Sequence, residues 1–327
     1  MALMKRFRNL RSEENTGFSE RTDDSAGRFF SRNTQSANVI KRGVGILERY
    51  SWYHTMLGMS RSKFLLLIFA VYILVNLVFA GIYYLIGIEH LAGVNTGSSL
   101  KNFSEVFFFS TQTFTTVGYG RISPVGFATS AVSTFEAFLG LLSFAIATGL
   151  FYGRFARPKA FIRFSENAVV APFKEGTALM FRIAPYKNNS LSEIKAEVTL
   201  AMQVEENGKM TNKFYDLTLQ FDELNSLALS WTVVHPIDES SPLYGFTEED
   251  LKNMKLEMLP FIRAFDEVFC NTVMARYSYI SREIVWGAKF KMMFHPDSEK
   301  SKTVLDLGKL NDFEPVSLPE PAAVAAN

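Results

Sequence analysis

The sequence predicts a membrane α + β protein: two apolar helices enclosing a re-entrant half-helix, followed by a β-rich domain. Three observations predict it. Phe64 to Ile86 is a charge-free apolar run. A second apolar run begins near Val125 and continues to Gly153, interrupted by one acid, Glu136. After Pro158 the texture changes to short alternating runs separated by turn residues, the pattern of strands with one buried face.

Residues 1–30 are polar and Arg-rich with interspersed acids, lack the apolar core of a signal peptide, and are expected to form a flexible cytoplasmic arm. Residues 31–63 are expected to hold an N-terminal strand and an interfacial helix. "VIKRGVGILERYSWYHTMLGMSR" mixes bulky apolar with basic residues and places Trp52 and Tyr53 at headgroup level. At about 1.5 Å per residue the first apolar run is long enough to cross a bilayer of roughly 30 Å. Its strongly polar Asn76 is expected to hydrogen-bond toward a neighbouring helix. In the second run Ala131, Gly140, Ala145, Ala147 and Gly149 provide the small residues that membrane helix packing favours. Glu136 is expected to face protein or water, because an unpaired carboxylate in lipid is costly.

Between the spans, "NFSEVFFFSTQTF" is too short to cross and fits a half-helix over about residues 103–115. It runs into Thr116-Val117-Gly118-Tyr119-Gly120. Gly118 and Gly120 point to unusual backbone dihedrals. A row of carbonyls turned one way can replace the hydration shell of potassium; an ordinary turn is the other reading of Gly-Tyr-Gly. Backbone at this depth is tolerated only where it is buried in protein or lines water, so residues 64–157 form one unit. Lys41, Arg42, Arg49, Arg61 and Lys63 precede the first span, and Arg154, Arg157, Lys159 and Arg163 follow the second. The intervening loop has only Lys101 and Arg121, so both termini are expected to be cytoplasmic.

Residues 158–316 read as strands at sandwich-like spacing. "TEEDLKNM" is the one short helix, with Thr247 as its N-cap and Asp250 in the first turn. Residues 317–327 read as a disordered tail. A net charge of +1 gives no bulk argument for nucleic acid, and a single cysteine, Cys270, cannot form an intrachain disulfide. No glycine-rich phosphate loop follows a strand, and no nucleophile, base and orienter stand together, so no enzyme is expected. His54, His90, His235 and His295 lack metal-ligand spacing, and no cofactor is expected.

"TTVGYG", "GLFYGRFARPKAFIRFSENAVVAPF", "LMFRIAP", "WTVVHPIDESSPLYG" and "ARYSYISREIVWGAKF", in this order, resemble the inward-rectifier potassium channels, closest to their prokaryotic branch. The resemblance runs from about Asn33 to Val316. It implies a homotetramer around a central pore, with a cytoplasmic immunoglobulin-like β-sandwich on each subunit. By similarity Thr116, Val117, Gly118, Tyr119 and Gly120 form the selectivity filter, and potassium is the permeant ion. Phe144, Thr148 and Tyr152 share a helix face; the resemblance makes that face pore-lining, with Tyr152 at the inner gate and Gly149 as a bend. Strongly rectifying members carry an acid at the position of Phe144, so weak rectification is expected.

Many members pair a pore-helix glutamate with a base outside the filter. Here Gln112 occupies the acidic position and Arg121 follows the filter, leaving Glu136 or Glu105 to take over the pairing. Arg61, Lys63, Arg154, Arg157 and Lys159 match positions that hold anionic lipid headgroups in the family; plain positive-inside topology also accounts for such a cluster. A bacterial inner membrane is the expected location. A two-span pore passing sodium as well, and a membrane-anchored β-sandwich interaction module, are the other readings; an intact TVGYG argues against both.

Overall fold

The computed structural model describes residues 51–156, 158–188, 190–206, 209–297 and 302–319, with 42, 43 and 45. The expected arm, the N-terminal strand, Arg157 and the end of the tail lie outside these residues. Two compact units divide the chain, one within Lys41–Arg157 and the other within Pro158–Asn327.

In the first unit, helix α1 spans Trp52–Gly58, α2 Arg61–Ile86, α3 Ser99–Phe114 and α4 Phe127–Phe155. Helices α2 and α4 are long and apolar enough to cross a membrane. The half-helix α3 begins ahead of the expected 103 because the Ser98 hydroxyl accepts the Lys101 amide at 3.4 Å and caps it there. Of α2, only Phe64, Asn76, Phe79, Ala80 and Tyr83 are buried, a stripe facing the rest of the unit. Tyr83 meets Phe109 edge to face at 5.1 Å and Tyr72 meets Phe114 at 5.9 Å, which seats α3 against α2. Strands β1 (Leu91–Ala92) and β2 (Ser123–Pro124) pair antiparallel and tie the exit of the glycine loop to the segment after α2. Of the interfacial segment, the described residues hold α1 and the first turn of α2.

The second unit is a β-sandwich. One sheet joins β3 (Ile162–Phe164), β4 (Ala168–Phe173), β5 (Gly176–Pro185), β9 (Trp231–Ile237) and β13 (Ile284–Trp286). The other joins β6 (Leu191–Glu206), β7 (Lys209–Asp216), β8 (Glu223–Ser226), β10 (Leu256–Asp266), β11 (Asn271–Arg276) and β12 (Tyr279–Ile280). All pairings are antiparallel except β4 with β13. Alternation sets the core. Ile194, Ala196, Val198, Leu200 and Met202 of β6 point inward beside Met258 and Ile262 of β10, and meet Leu179, Phe181 and Ile183 of β5.

Strand β5 is also buried on its other face. Strands β14 (Ala288–Phe290), β15 (Phe294–Pro296), β16 (Thr303–Leu305) and β17 (Phe313–Pro315) form two small ladders in the C-terminal segment. Met180 packs with Ala288 and Phe290, and Ala184 with Met293 and Leu310. Arg182 lies between these contacts at 5 % exposure, its guanidinium over the Phe290 ring at 4.6 Å. The expected short helix, α5 (Glu248–Asn253), carries a capping box in which Thr247 and Asp250 bond reciprocally.

Candidate functional site

The glycine loop is built on the C-terminal end of α3. The Val117 and Gly118 amides both donate to the Gln112 carbonyl, at 3.0 and 3.3 Å, and Thr116 N donates to Thr113 O at 3.0 Å. Carbonyls that end the helix without an intrahelical partner are thereby satisfied. The amides of Thr116, Val117 and Gly118 face the helix. The loop's own carbonyls remain for another partner.

The backbone supports this arrangement. Thr116, Gly118 and Gly120 have φ of 59°, 51° and 80°, and the intervening Val117 and Tyr119 are not in the positive region. Alternating hands along a chain turn successive peptide planes the same way, whereas a strand turns them alternately out. Glycine takes positive φ without penalty, but a β-branched threonine there costs about 1–3 kcal/mol, a strain that clusters at functional sites. A row of neutral oxygens with no basic group among them suits a dehydrated hard cation. Val117 is 53 % and Tyr119 80 % exposed, so the side chains of the loop are open.

The groups around the loop decide between the two carboxylates that the sequence left open for Arg121. Arg121 pairs with Glu105, at 2.5 Å, and not with Glu136. Gln112 supports the loop through its backbone carbonyl. Glu136 is fully buried and accepts from the Tyr83 hydroxyl at 2.7 Å; Ser110 is its other partner. Asn76, also buried, donates to Tyr72 O at 2.7 Å and approaches Ser110 Oγ through Oδ1 at 3.1 Å. This polar chain links α2, α3 and α4 behind the loop. Tyr83 and Ser110 were not singled out from sequence, since a tyrosine and a serine in apolar helices carry no local signal of a distant carboxyl partner.

Gly140 was legible only as a small residue. A Cβ on it would lie 1.8 Å from the Phe114 carbonyl oxygen, so its lack of a side chain permits α4 to touch the end of α3. Likewise, a Cβ at Gly93 would lie 1.8 Å from Arg121 O, and Gly93 has φ +86°. That glycine lets the loop's exit lie flat against the segment after α2.

On α4, Phe144 and Tyr152 are 73 % and 76 % exposed, and Thr148, on the same face, is exposed as well. The Thr148 hydroxyl donates to Phe144 O at 2.9 Å. The helix continues through Gly149, and a Cβ there would meet nothing within 4 Å. Of the basic positions, Arg61 and Lys63 are exposed at the first turn of α2. Arg154 is engaged: its guanidinium bonds Met56 O at 3.2 Å and Met59 O, and covers the Phe64 ring at 5.0 Å. A cation at the carbonyl end of α1 is favourable for the helix dipole. Lys159 is exposed in the second unit.

Comparison with known proteins adds independent findings. A family profile described as "Inward rectifier potassium channel C-terminal domain" matches residues 162–327, and one described as "Ion channel" matches residues 71–157. The chain is 36 % identical over 285 residues to the inward rectifier potassium channel Kirbac3.1 of Paramagnetospirillum magnetotacticum, covering 85 % of this chain and 93 % of that one. It is 28 % identical over 262 residues to ATP-sensitive inward rectifier potassium channel 12 of Gallus gallus. To the Bos taurus protein of the same name it is 29 % identical over 261 residues. In each vertebrate pair 74 % of this chain aligns with 61 % of the relative.

Proposed function

Since the chain belongs to the inward rectifier potassium channel family, and is therefore a membrane potassium channel and not an enzyme, we propose that it acts as a homotetramer that conducts potassium passively through Thr116–Gly120. One loop cannot encircle an ion, so four loops are needed to supply a cage of carbonyls around each site. The Thr116 hydroxyl and the carbonyls of Thr116, Val117, Gly118 and Tyr119 replace the water that potassium sheds. The partial negative end of α3 adds a favourable field for a cation.

The carrying observation is the backbone of the loop, with amides turned to Gln112 and alternating φ, which leaves the carbonyls unclaimed. Phe144, Thr148 and Tyr152 line the path below the filter, and Tyr152 is the constriction at the helix crossing. The β-sandwich moves this gate from the cytoplasm. Arg61 and Lys63 are placed to meet anionic headgroups, each contributing about 1 kcal/mol near the surface. Arg154 serves that interface by holding α1 in position. Without an acid at Phe144, cytoplasmic polyvalent cations find no site there, and rectification is weak. The cell membrane of a bacterium, with both termini cytoplasmic, is the location this reading gives.

The test is rubidium-86 uptake into potassium-loaded liposomes, comparing the native chain with Gly118→Ala in neutral and anionic lipid, with tetramer mass measured by light scattering. Barium-sensitive uptake that is lost in the variant supports the reading. A tetramer that takes up nothing in any lipid defeats it.

A further inference from the structure

Counting hydrogens in the buried chain behind the filter assigns a protonation state that the fold alone does not announce. Asn76, Tyr83, Ser110 and Glu136 are each fully buried. The Asn76 amide is oriented by its donation to Tyr72 O, so its Oδ1 faces Ser110. Tyr83 donates to Glu136 Oε2. Ser110 Oγ lies within bonding distance of Glu136 Oε1, Asn76 Oδ1 and, at 3.3 Å, the Asn76 carbonyl oxygen, but has one hydrogen to give.

With an ionised carboxylate, Ser110 donates to Glu136 and Asn76 Oδ1 is left as a buried acceptor facing an oxygen without a hydrogen. Such an orphan is strongly disfavoured. The carboxylate itself would also be a buried charge whose bonding partners, Tyr83 and Ser110, are both neutral. With a carboxylic acid each of the four side chains has a partner: Glu136 donates to Ser110, Ser110 donates to Asn76 Oδ1, and Tyr83 donates to Glu136.

The chain sits at a mechanically sensitive place. Ser110 precedes by two residues Gln112, whose carbonyl holds the Val117 and Gly118 amides. One turn further along both helices, Gly140 abuts the Phe114 carbonyl, so Glu136 and Gly140 engage α3 as two adjacent contacts on one face of α4. Building on the channel reading above, we propose that Glu136 is a positioning residue for the selectivity filter that works as a neutral acid, its proton fixing the pore helix through Ser110.

The experiment uses the full chain reconstituted in liposomes. Infrared difference spectra of native protein and Glu136→Gln read the proton directly, whether or not the protein conducts. A protonated-carboxyl stretching band present in the native protein and missing in the variant is expected; carboxylate bands in its place overturn the assignment. Uptake of rubidium-86 against sodium-22 reads the positioning role. Gln can donate to Ser110 and accept from Tyr83, so Glu136→Gln keeps the native ion preference. Glu136→Leu orphans both partners and lowers the preference about tenfold or more. A tetrameric Glu136→Leu with native preference, or a Glu136→Gln as impaired as it, defeats the proposal. Where Glu136→Leu does not assemble, Tyr83→Phe replaces it with the same expected direction, and an unchanged preference there counts against the positioning role. Native protein that takes up no rubidium while showing the carboxyl band sinks the channel reading and leaves the proton assignment standing.

Discussion

Gly140→Ala provides the sharpest test of how the glycine loop is held. The added Cβ would lie 1.8 Å from the Phe114 carbonyl oxygen, 2.8 Å from its carbonyl carbon and 3.1 Å from its Cα, all backbone atoms at the end of α3. Ordinary contact begins at 3.4 Å, so one helix must retreat by about 1.6 Å from the other. Forced overpacking of this kind costs about 1–3 kcal/mol. The larger consequence is geometric. Gln112 O, two residues before Phe114, holds the Val117 amide at 3.0 Å, and an ångström-scale shift breaks that bond or drags the glycine loop with it. Sites that rely on placement lose about a hundredfold for an error near 1 Å. Rubidium-86 and sodium-22 uptake into proteoliposomes is therefore expected to show at least about a tenfold loss of rubidium preference, with lowered thermal stability. The control is Gly81→Ala on α2, where a Cβ meets nothing within 4 Å. Native selectivity and stability in Gly140→Ala would show that α4 does not brace α3 and would refute the reasoning.

Other expectations follow from groups outside the buried chain. Introducing an acid at the exposed Phe144 as Phe144→Asp should create voltage-dependent block by cytoplasmic magnesium in bilayer recordings; currents as insensitive as the native ones would remove Phe144 from the pore lining. His235 donates through Nδ1 to Thr218 O at 2.7 Å and accepts through Nε2 from Ser241 at 2.8 Å, and burial pushes the imidazole below its usual range. Its folded form resists protonation more than its unfolded form, so stability falls as pH drops below about 6.5 and is regained above it. Melting of His235→Gln at pH 5 and pH 7.5 should show a smaller acid penalty than native protein, and an equal penalty would assign the effect elsewhere. Arg182 is buried, and its Nε and Nη1 have no hydrogen-bond partner among the described residues. Replacing such a charge by an apolar side chain is often stabilising, so Arg182→Met should raise stability by about 1 kcal/mol in denaturant melts; a clear loss would mean that its stacking on Phe290 outweighs desolvation. The Arg121–Glu105 pair is partly solvated, and Glu105→Gln should lower stability by no more than about 1 kcal/mol, less at high salt.

Local chemistry determined a large share of this protein. Charge-free length specified the spans, period-two alternation the sandwich, and Thr247 with Asp250 the helix between strands, because each signal is read over a few neighbouring residues. Thr116–Gly120 was equally legible, since Gly118 and Gly120, which permit positive φ, lie two positions apart in the chain. Tertiary structure decided what depends on distant residues meeting. The choice of Glu105 over Glu136 for Arg121 rested on which carboxylate the fold delivers to the loop's exit. The pairing of Glu136 with Tyr83 and Ser110 joins residues 53 and 26 positions apart. Gly140 in sequence is one small residue among several; only the approach of a carbonyl to 1.8 Å from its absent Cβ distinguishes it. Arg182 resembles an ordinary outward residue of β5 until the C-terminal ladders cover that face. In each case the deciding quantity is a separation in space, which neither periodicity nor composition encodes.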